Sequence, residues 1–395
     1  MDFNLTDEQQ MLLESVDEFC ERYFTEDVVK KMYEDHGMPQ EIAEAYRDAG
    51  FGLMGIPEEY GGIPMDRVTI GLMIERLYQK SGCMHILYQN SLSMFDIMEF
   101  GTEAQKQEAM DHYMETGWPI ASLSISEPGA GSDNQGMTTT ATKGEDGKIH
   151  INGTKTWVTS GETAGGFIVV CKDEDPAREN KNMSMYLVPS DAKGVTIEPL
   201  NKIGMQIMPF SMIHFDDVVV DEDQLLGIKG KGFYQLMKNF EWERCVLLAE
   251  LLGEAQAAME DACAWVNDRQ QFGKGIKTFQ LVQEHIVEMQ IELTNTRNFL
   301  YRTCWKLDNG IPVNNDAAML KRYGAPGLTD CCSRALQLMG GLGFTDETRV
   351  SRLMLDCRGF QIGGGTVEIM VHISGRGILK EYAKGVEDPD HLWTL

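Results

Sequence analysis

The sequence lacks an excess of basic residues and any long apolar run. Its 35 Lys and Arg residues face 61 Asp and Glu residues, which gives a formal net charge of −26 at pH 7. This balance disfavours non-specific binding to nucleic acid or to anionic lipid, because the average field repels phosphate groups, although a local basic groove would escape this average. No apolar run approaches the ~20 residues that a membrane-spanning helix needs. We therefore expect neither a nucleic acid nor a membrane as partner.

An ordered set of cysteines is also missing. The nine cysteines are scattered, with no C-x-x-C pair and no His partner at the spacing of zinc ligands. The acidic first residues, MDFNLTDEQQ, lack the basic and apolar regions of a secretory signal. We therefore expect a cytoplasmic protein with reduced thiols and no metal site.

What is present is the composition of a globular protein with several domains. The chain has 395 residues, of which 43% are hydrophobic and 24% are charged, and such a length favours two or three domains. The residue pattern predicts an all-helical domain at 1–119, a β domain at 120–230 and a helical bundle at 231–395, and thus an α+β fold class.

Local signals place the main elements. Thr6 and Gln9 have the capping-box spacing at the start of a helix, and the Gly- and Pro-containing stretch 55–64 predicts a loop. Alternation in 148–153 (KIHING) predicts a strand that enters an Asn-Gly turn. Further strands are predicted at 167–170, 183–188 and 212–215. Helical periodicity predicts four long helices, which favour an antiparallel bundle, at 233–268, 279–309, 314–340 and 366–385.

Two segments of the predicted β domain carry groups suited to a ligand. The first, 126–133 (SEPGAGSD), combines small residues, which let backbone amides approach a ligand, with the hydroxyls of Ser126 and Ser132. By itself this pattern is more typical of a turn than of a ligand site. In the second, 152–160 (NGTKTWVTS), Trp157 and Thr159 lie on one face of a strand and would suit a flat heterocycle, although a lone Trp in a strand is usually core.

Together the two segments resemble the acyl-CoA dehydrogenase family, and the resemblance covers essentially the whole chain. Further matching segments follow in the family's order: 56–62 (IPEEYGG), 269–273 (RQQFG), 279–280 (FQ), 337–343 (QLMGGLG) and 365–366 (GT).

The resemblance implies an N-terminal helical domain, a middle β-barrel-like domain and a C-terminal four-helix bundle, with FAD between the β domain and the bundle, in a homotetramer. It implies stacking of Trp157 beside the flavin, a contact from Thr159 to the hydride-accepting nitrogen, and contacts from Arg269 to the FAD of a neighbouring subunit. Without its motif, Arg269 would be interpreted as part of a surface ion pair. The positions expected to bind FAD are Ile125, Ser126, Gly131, Ser132, Trp157, Thr159, Arg269, Phe272, Gln280, Gln337, Gly341, Thr366 and Glu368.

The catalytic base departs from the commonest family pattern. Most members carry a Glu before the Gly-Thr of a Y-E-G-T motif, but Gly364 stands at that position here. Glu368, the nearest carboxylate, matches a nucleotide-contacting position. A minority of the family, including isovaleryl-CoA dehydrogenases, places the base in an E-R pair on the first long helix of the bundle, where this chain has Glu243 and Arg244. We therefore assign Glu243 as the base and interpret Glu241 as part of a solvated helix face.

The resemblance implies the interconversion of an acyl-CoA and its 2-enoyl-CoA, with electrons passing through an electron-transferring flavoprotein. Within the family, the sequence is especially similar to the crotonobetainyl-CoA reductases of carnitine metabolism, through segments that include 1–9, 87–89, 215–218 and 305–310. A quaternary ammonium substrate favours aromatic or acidic neighbours. The candidates to bind substrate are Ser132, Arg244, Tyr88, Trp242 and Glu241.

Three alternatives stay open from the sequence. One is a general short- or branched-chain acyl-CoA dehydrogenase, and another is a relative with changed chemistry, such as an acyl-CoA desulfinase. The third is a non-enzymatic flavin-binding relative that associates with DNA, which the charge of −26 disfavours.

Overall fold

A computed structural model of the chain describes residues 4–173 and 182–383. The predicted capping box is confirmed: the Thr6 hydroxyl accepts from the Gln9 amide while the Gln9 side chain accepts from the Thr6 amide. The predicted loop at 55–64 is irregular apart from one short 3-10 turn at Glu58–Tyr60. The N-terminal region is helical, as predicted, and its helices are α1 Asp7–Tyr23, α2 Glu26–Asp35, α3 Gln40–Asp48, α4 Arg67–Ser81, α5 Gln89–Phe100 and α6 Glu103–Thr116.

The middle region folds into one mixed sheet with the strand order β6-β7-β3-β2-β4-β5-β8, and β1 pairs in parallel with β4. The strands predicted at 167–170, 183–188 and 212–215 are confirmed within β4, β5 and β7. The bounds are β1 Ser122–Ser124, β2 Thr140–Lys143, β3 Ile149–Thr159, β4 Gly166–Asp173, β5 Met183–Pro189, β6 Val195–Pro199, β7 Phe210–Val220 and β8 Leu225–Leu226.

The turn predicted at Asn152-Gly153 is wrong. Strand β3 continues through both residues, and a shift in its register with β7 lies between Ile151 and Gly153. A side chain at Gly153, where φ is 151°, would come within 2.4 Å of the Thr139 hydroxyl. Gly153 therefore lies at a bulge where the backbone of Thr139 comes close, and β3 continues along β7 rather than turning back on itself.

Strand β4 explains how the sheet separates two cores. Phe167 and Val169 pack into a cluster with residues of β3 and β7. Ile168 and Val170 point the other way, into a cluster that includes residues of α5 and α6. Both faces of β4 are thus covered, which is why its sequence is a continuous apolar run rather than an alternating one.

The C-terminal region contains the four predicted long helices, whose described ends lie within two residues of the prediction. Residues 384 and 385 of the last predicted helix lie outside the described residues, as do residues 1–3 of the segment 1–9. Helix α9 packs against α8, α10 and α11. The bounds are α7 Gly232–Asp268, α8 Gln280–Asp308, α9 Asn314–Met339, α10 Val350–Gly359 and α11 Val367–Ala383. Helix α10 was not predicted.

Contacts divide the described chain into two compact units. The helical unit comprises residues 4–30, 66–84 and 241–383. The sheet-containing unit comprises residues 31–65, 85–173 and 182–240. The domain boundaries predicted after residues 119 and 230 stay predictions. No helix in the described ranges has both the length and the apolar character needed to span a membrane.

Candidate active site

The loop after β1 is tied to the bulged end of β3. The Ser126 carbonyl accepts a hydrogen bond from the Thr156 amide at 2.8 Å. Added side chains at Gly129 and Gly131 would meet no heavy atom within 4 Å, and Ser132 is exposed. The two glycines of this loop are therefore not required by internal packing, and their backbone is open to a ligand.

A buried ion pair between Lys155 and Glu127 holds the same loop from its buried side. The fully buried Lys155 ammonium donates to the Ile125 carbonyl and to the Glu127 carboxylate, both at 3.0 Å. Glu127 also accepts from the backbone amides of Thr138 and Thr139. Burial acts to raise the pKa of Glu127, but these hydrogen bonds and the Lys155 charge lower it to about 2. This ion pair was not predicted from the sequence.

Trp157 stands out of the sheet at a second irregularity of β3. The register with β7 shifts between Lys155 and Val158, and Trp157 has a φ of 60°. Its side chain is 60% exposed, so the core interpretation of this Trp does not apply. Thr159, two residues on, is partly exposed. The bulge thus turns the Trp157 indole away from the core, next to Thr156, whose amide bonds to the loop that contains Ser126.

In the helical unit, Glu243 lies against the loop between α10 and α11. A Cβ built on Gly364 would be 3.4 Å from the Glu243 Oε1 atom and 2.9 Å from the Lys321 ammonium nitrogen. The structure therefore brings together three groups from distant parts of the chain: a carboxylate of α7, an ammonium of α9 and a backbone position without a side chain.

Lys321 is the residue of this cluster that the sequence analysis missed. It is fully buried, and its ammonium donates to the carbonyl of Gly363. Burial lowers the pKa of Lys321 to about 7, although Glu243 opposes the shift. Burial likewise raises the pKa of Glu243, against the charges of Lys321 and Arg244. A carboxylate with a raised pKa is suited to accept a proton near neutral pH.

Two neighbours of Glu243 on α7 differ in their surroundings. Arg244 is buried, and burial lowers its pKa although Glu243 and Glu241 oppose this. Trp242 is only 9% exposed, and the Arg67 guanidinium lies 5.8 Å from its ring centroid. One face of this indole is thus already covered. Tyr88, in the sheet-containing unit, is fully buried with its ring 6.4 Å from that of Phe95.

The start of α11 carries two predicted FAD contacts. The Thr366 hydroxyl accepts from the Ile369 amide at 3.3 Å, and Glu368 is exposed in the first helical turn. An acidic residue there also favours helix formation through the helix dipole. Glu368 is thus placed on a solvated surface, whereas Glu243 is held beside Lys321.

The remaining predicted FAD contacts lie on exposed parts of the helical unit. Arg269 stacks over the Trp265 ring at 5.5 Å and forms no ion pair within the described residues. Phe272 is 91% exposed with a φ of 55°, in a hairpin formed by β9 Gln270–Gln271 and β10 Lys274–Gly275. Gln280, at the start of α8, and Gln337 and Gly341, around the end of α9, are exposed as well.

Comparison with known proteins gives matches along most of the chain. Three family models match: "Acyl-CoA dehydrogenase, N-terminal domain" at residues 6–115, "middle domain" at 122–218 and "C-terminal domain" at 230–379. A curated relative, the "Probable acyl-CoA dehydrogenase YdiO" of Escherichia coli (strain K12), is 38% identical over 97% of this chain and 99% of its own length.

Solved structures also resemble this fold closely. Butyryl-CoA dehydrogenase from Megasphaera elsdenii is 30% identical, with a TM-score of 0.88 over 96% of this chain and 100% of its own. A chain in a structure described as the electron transferring flavoprotein of Acidaminococcus fermentans is 27% identical, with a TM-score of 0.88 and the same coverage. The predicted fold class is confirmed by these matches.

Proposed function

The chain belongs to the acyl-CoA dehydrogenase family, and from this premise we propose that it is an FAD-dependent oxidoreductase that interconverts an acyl-CoA and its 2-enoyl-CoA. The observation that carries the proposal is the Glu243 carboxylate lying against Gly364. Gly364 stands where most members of the family carry the glutamate that acts as base. The Glu243 carboxylate therefore lies beside that position, although the position itself has no side chain.

The groups exposed in each unit fit the proposed cofactor. The backbone around Ser126, the indole of Trp157 and the hydroxyl of Thr159 suit the edge and face of a flavin ring, and the Arg269 guanidinium suits a pyrophosphate. The loop that contains Ser126 offers open backbone at Gly131. When bound, FAD accepts a hydride from the β-carbon of the acyl chain, or returns one in the opposite direction.

Glu243 supplies the proton chemistry of the proposed reaction. In oxidation it takes the proton from the α-carbon of the thioester, and in reduction it gives that proton back. The raised pKa of Glu243, caused by burial and opposed by Lys321 and Arg244, brings proton acceptance and donation closer to balance near neutral pH.

We further propose that the physiological reaction is the reduction of a crotonobetainyl-CoA-type 2-enoyl-CoA by a homotetramer that receives electrons from an electron-transferring flavoprotein. The sequence similarity to that subfamily supports the substrate, and the butyryl-CoA dehydrogenase relative supports the wider acyl-CoA class. The similarity to a chain in the Acidaminococcus flavoprotein structure supports the electron carrier. Trp242 contributes little to this choice, because Arg67 covers one face of its ring.

The substrate proposal is tested by the visible spectrum of the purified yellow protein. The dithionite-reduced protein is titrated anaerobically with crotonobetainyl-CoA, crotonyl-CoA and a branched 2-enoyl-CoA. We expect flavin reoxidation with crotonobetainyl-CoA at lower concentration than with the other two. Reoxidation by the others alone would indicate a general acyl-CoA dehydrogenase, and no response to any thioester would favour changed chemistry or a non-enzymatic role.

A further inference from the structure

A fully buried lysine is uncommon and calls for a partner. Lys321 lies on α9 at a position where its neighbours one turn away, Ala317 and Ala325, are also fully buried. Its ammonium donates to the Gly363 carbonyl. The ammonium of Lys321 is therefore fixed to the loop between α10 and α11 rather than directed to solvent.

The same ammonium lies close to Glu243. The point that a Cβ of residue 364 would occupy is 2.9 Å from the Lys321 nitrogen and 3.4 Å from the Glu243 Oε1 atom. The distance between the Lys321 nitrogen and the Glu243 Oε1 atom is therefore no greater than the sum of these two distances. A side chain at residue 364 would intrude between α7 and α9, and its absence leaves the two charges facing one small space.

We propose that Lys321 is a positioning residue for Glu243: its buried ammonium, anchored on the Gly363 carbonyl, keeps the carboxylate ionised and directed toward the space beside Gly364. The inference rests on the proposed function for its catalytic meaning. The coupling between the two groups is a property of the folded protein with or without turnover.

The charges that act on Glu243 explain why this partner matters. Within the described chain they are Lys321 from α9 and Arg244 from α7, and both favour the ionised carboxylate while burial opposes it. Arg244 also faces Glu241, whereas Glu243 is the anion that raises the pKa of Lys321 against burial. The charges of Lys321 and Glu243 therefore stabilise each other.

The proposed role accounts for each proton in the oxidation. The α C–H bond breaks, its proton forms an O–H bond on Glu243, and its electron pair forms the double bond between the α- and β-carbons. The β C–H bond breaks in turn, and its hydrogen leaves with that bond's electron pair as a hydride, which bound FAD would accept. Lys321 gives up no proton in this step. Its charge lowers the free energy of the ionised carboxylate before the transfer, and its bond to Gly363 holds the loop beside it.

The test reads the protonation of Glu243 directly. Infrared spectra of the FAD-loaded protein are recorded against pH, and the carboxylic acid band of Glu243 is isolated by subtracting the spectrum of Glu243→Gln. Lys321→Met removes the charge and the hydrogen bond, and Lys321→Gln removes the charge but keeps a donor. We expect both variants to raise the pKa of Glu243 by at least one pH unit, a tenfold change in acid dissociation.

Lys306→Met is the matched control, because Lys306 is a partly buried lysine of the same unit and has a carboxylate partner, Asp316. This variant should lower the free energy of unfolding and leave the pKa of Glu243 unchanged. An unchanged Glu243 titration in both Lys321 variants would overturn the proposal. A shift in Lys321→Met alone would also overturn it, since it would assign the effect to the hydrogen bond with Gly363.

A second measurement serves if the Lys321 variants do not fold. The side-chain nitrogen of Lys321 is followed by NMR in lysine-labelled holoenzyme, with and without Glu243→Gln. Reciprocity requires the loss of the anion to lower the pKa of Lys321 by at least one unit. An unchanged Lys321 titration would refute the coupling, even in an enzyme that needs Glu243 for turnover. Coupling without any thioester turnover would contradict the proposed function alone.

Discussion

At the scale of single residues, the site depends as much on a missing side chain as on the charged ones. Gly364 has a φ of +64°, and an added Cβ would lie 2.6 Å from the Leu247 Cδ1 atom. Both the backbone conformation and the available space therefore favour glycine. The position of the usual family base is closed to a side chain unless Leu247 and Lys321 move.

This geometry gives a prediction for Gly364→Ala. The left-handed backbone costs about 1–2 kcal/mol of folding free energy in a residue with a Cβ. The displaced Lys321 ammonium should also reduce turnover while FAD stays bound. Denaturant unfolding and steady-state rates, measured on the same preparation, check both effects.

Gly375→Ala is the control for that variant. An added Cβ on Gly375, inside α11, meets no heavy atom within 4 Å. Because alanine is the better helix former, this change should raise stability by about 0.5–1 kcal/mol with normal turnover. Equal behaviour of the two variants would contradict the account of Gly364.

The sequence predicts a role for the Glu243 carboxylate but none for its neighbour Lys321. Glu243 was assigned from the Glu-Arg pair and from the glycine at 364, both visible in the sequence, and its role stays a prediction. From its residue type alone, Lys321 would be interpreted as a surface residue. Its place on the buried stripe of Ala317 and Leu328 was a usable signal, but its bond to Gly363 joins residues far apart in the chain.

At the scale of elements, strand β3 does more than pair with its neighbours. Its bulge buries Lys155 and exposes Trp157, although simple alternation would put both on one face. Lys155, which is paired with Glu127, also donates a hydrogen bond to the Ile125 carbonyl. The ion pair and the bulge together fix the backbone of the loop that contains Ser126.

Glu127→Gln should therefore destabilise the protein in a pH-dependent manner. The pKa of about 2 in the folded state lies below the unfolded value of about 4.3, so the contribution of Glu127 is present above pH 4.3 and is lost as the pH falls toward 2. Breaking a buried pair costs about 3–5 kcal/mol, and we expect that loss at pH 7.

Urea unfolding of wild type and Glu127→Gln at pH 7, 5 and 3 checks this expectation. The gap in unfolding free energy should narrow toward pH 3. Exposed Glu162 in the same unit provides the control, since Glu162→Gln should give a small gap. If the difference in unfolding free energy between wild type and Glu127→Gln is constant from pH 7 to pH 3, the ion pair is not the cause of that difference.

Helices were predicted accurately where the helical pattern is long, and one helix was missed where it is short. The bounds of α7 and α9 followed from many turns of helical pattern. Helix α10 has only ten residues, too few for a clear period. The Asn152-Gly153 pair is a strong local signal for a hairpin, but pairing of β3 with β7 decides the structure there.

At the scale of the whole molecule, the helical unit presents large apolar side chains to solvent. Phe344 is 81% exposed, and Leu281 on α8 and Leu379 on α11 are also largely exposed. Exposed apolar groups of this size are typical of surfaces that become covered in an assembly. They are consistent with the proposed homotetramer.

Light scattering on the holoprotein should give about four times the chain mass of 44.4 kDa. The double variant Leu281→Ser/Leu379→Ser should lower this mass at micromolar concentration, because polar groups would then be desolvated in the assembly. Met11→Ser, at another exposed apolar residue on α1, is the control and should keep the wild-type mass. A wild-type mass near 44.4 kDa would contradict the tetramer.

The most direct test of the central claim is the single-turnover rate of flavin reoxidation by a 2-enoyl-CoA, compared between wild type and Glu243→Gln. Glu241→Gln and Glu368→Gln are the matched controls on neighbouring carboxylates. We predict that Glu243→Gln retains FAD and slows the step by about 10²–10⁴-fold, the usual contribution of a general acid or base, with smaller effects in both controls. A normal rate in Glu243→Gln, or a larger loss in Glu368→Gln, would contradict the account.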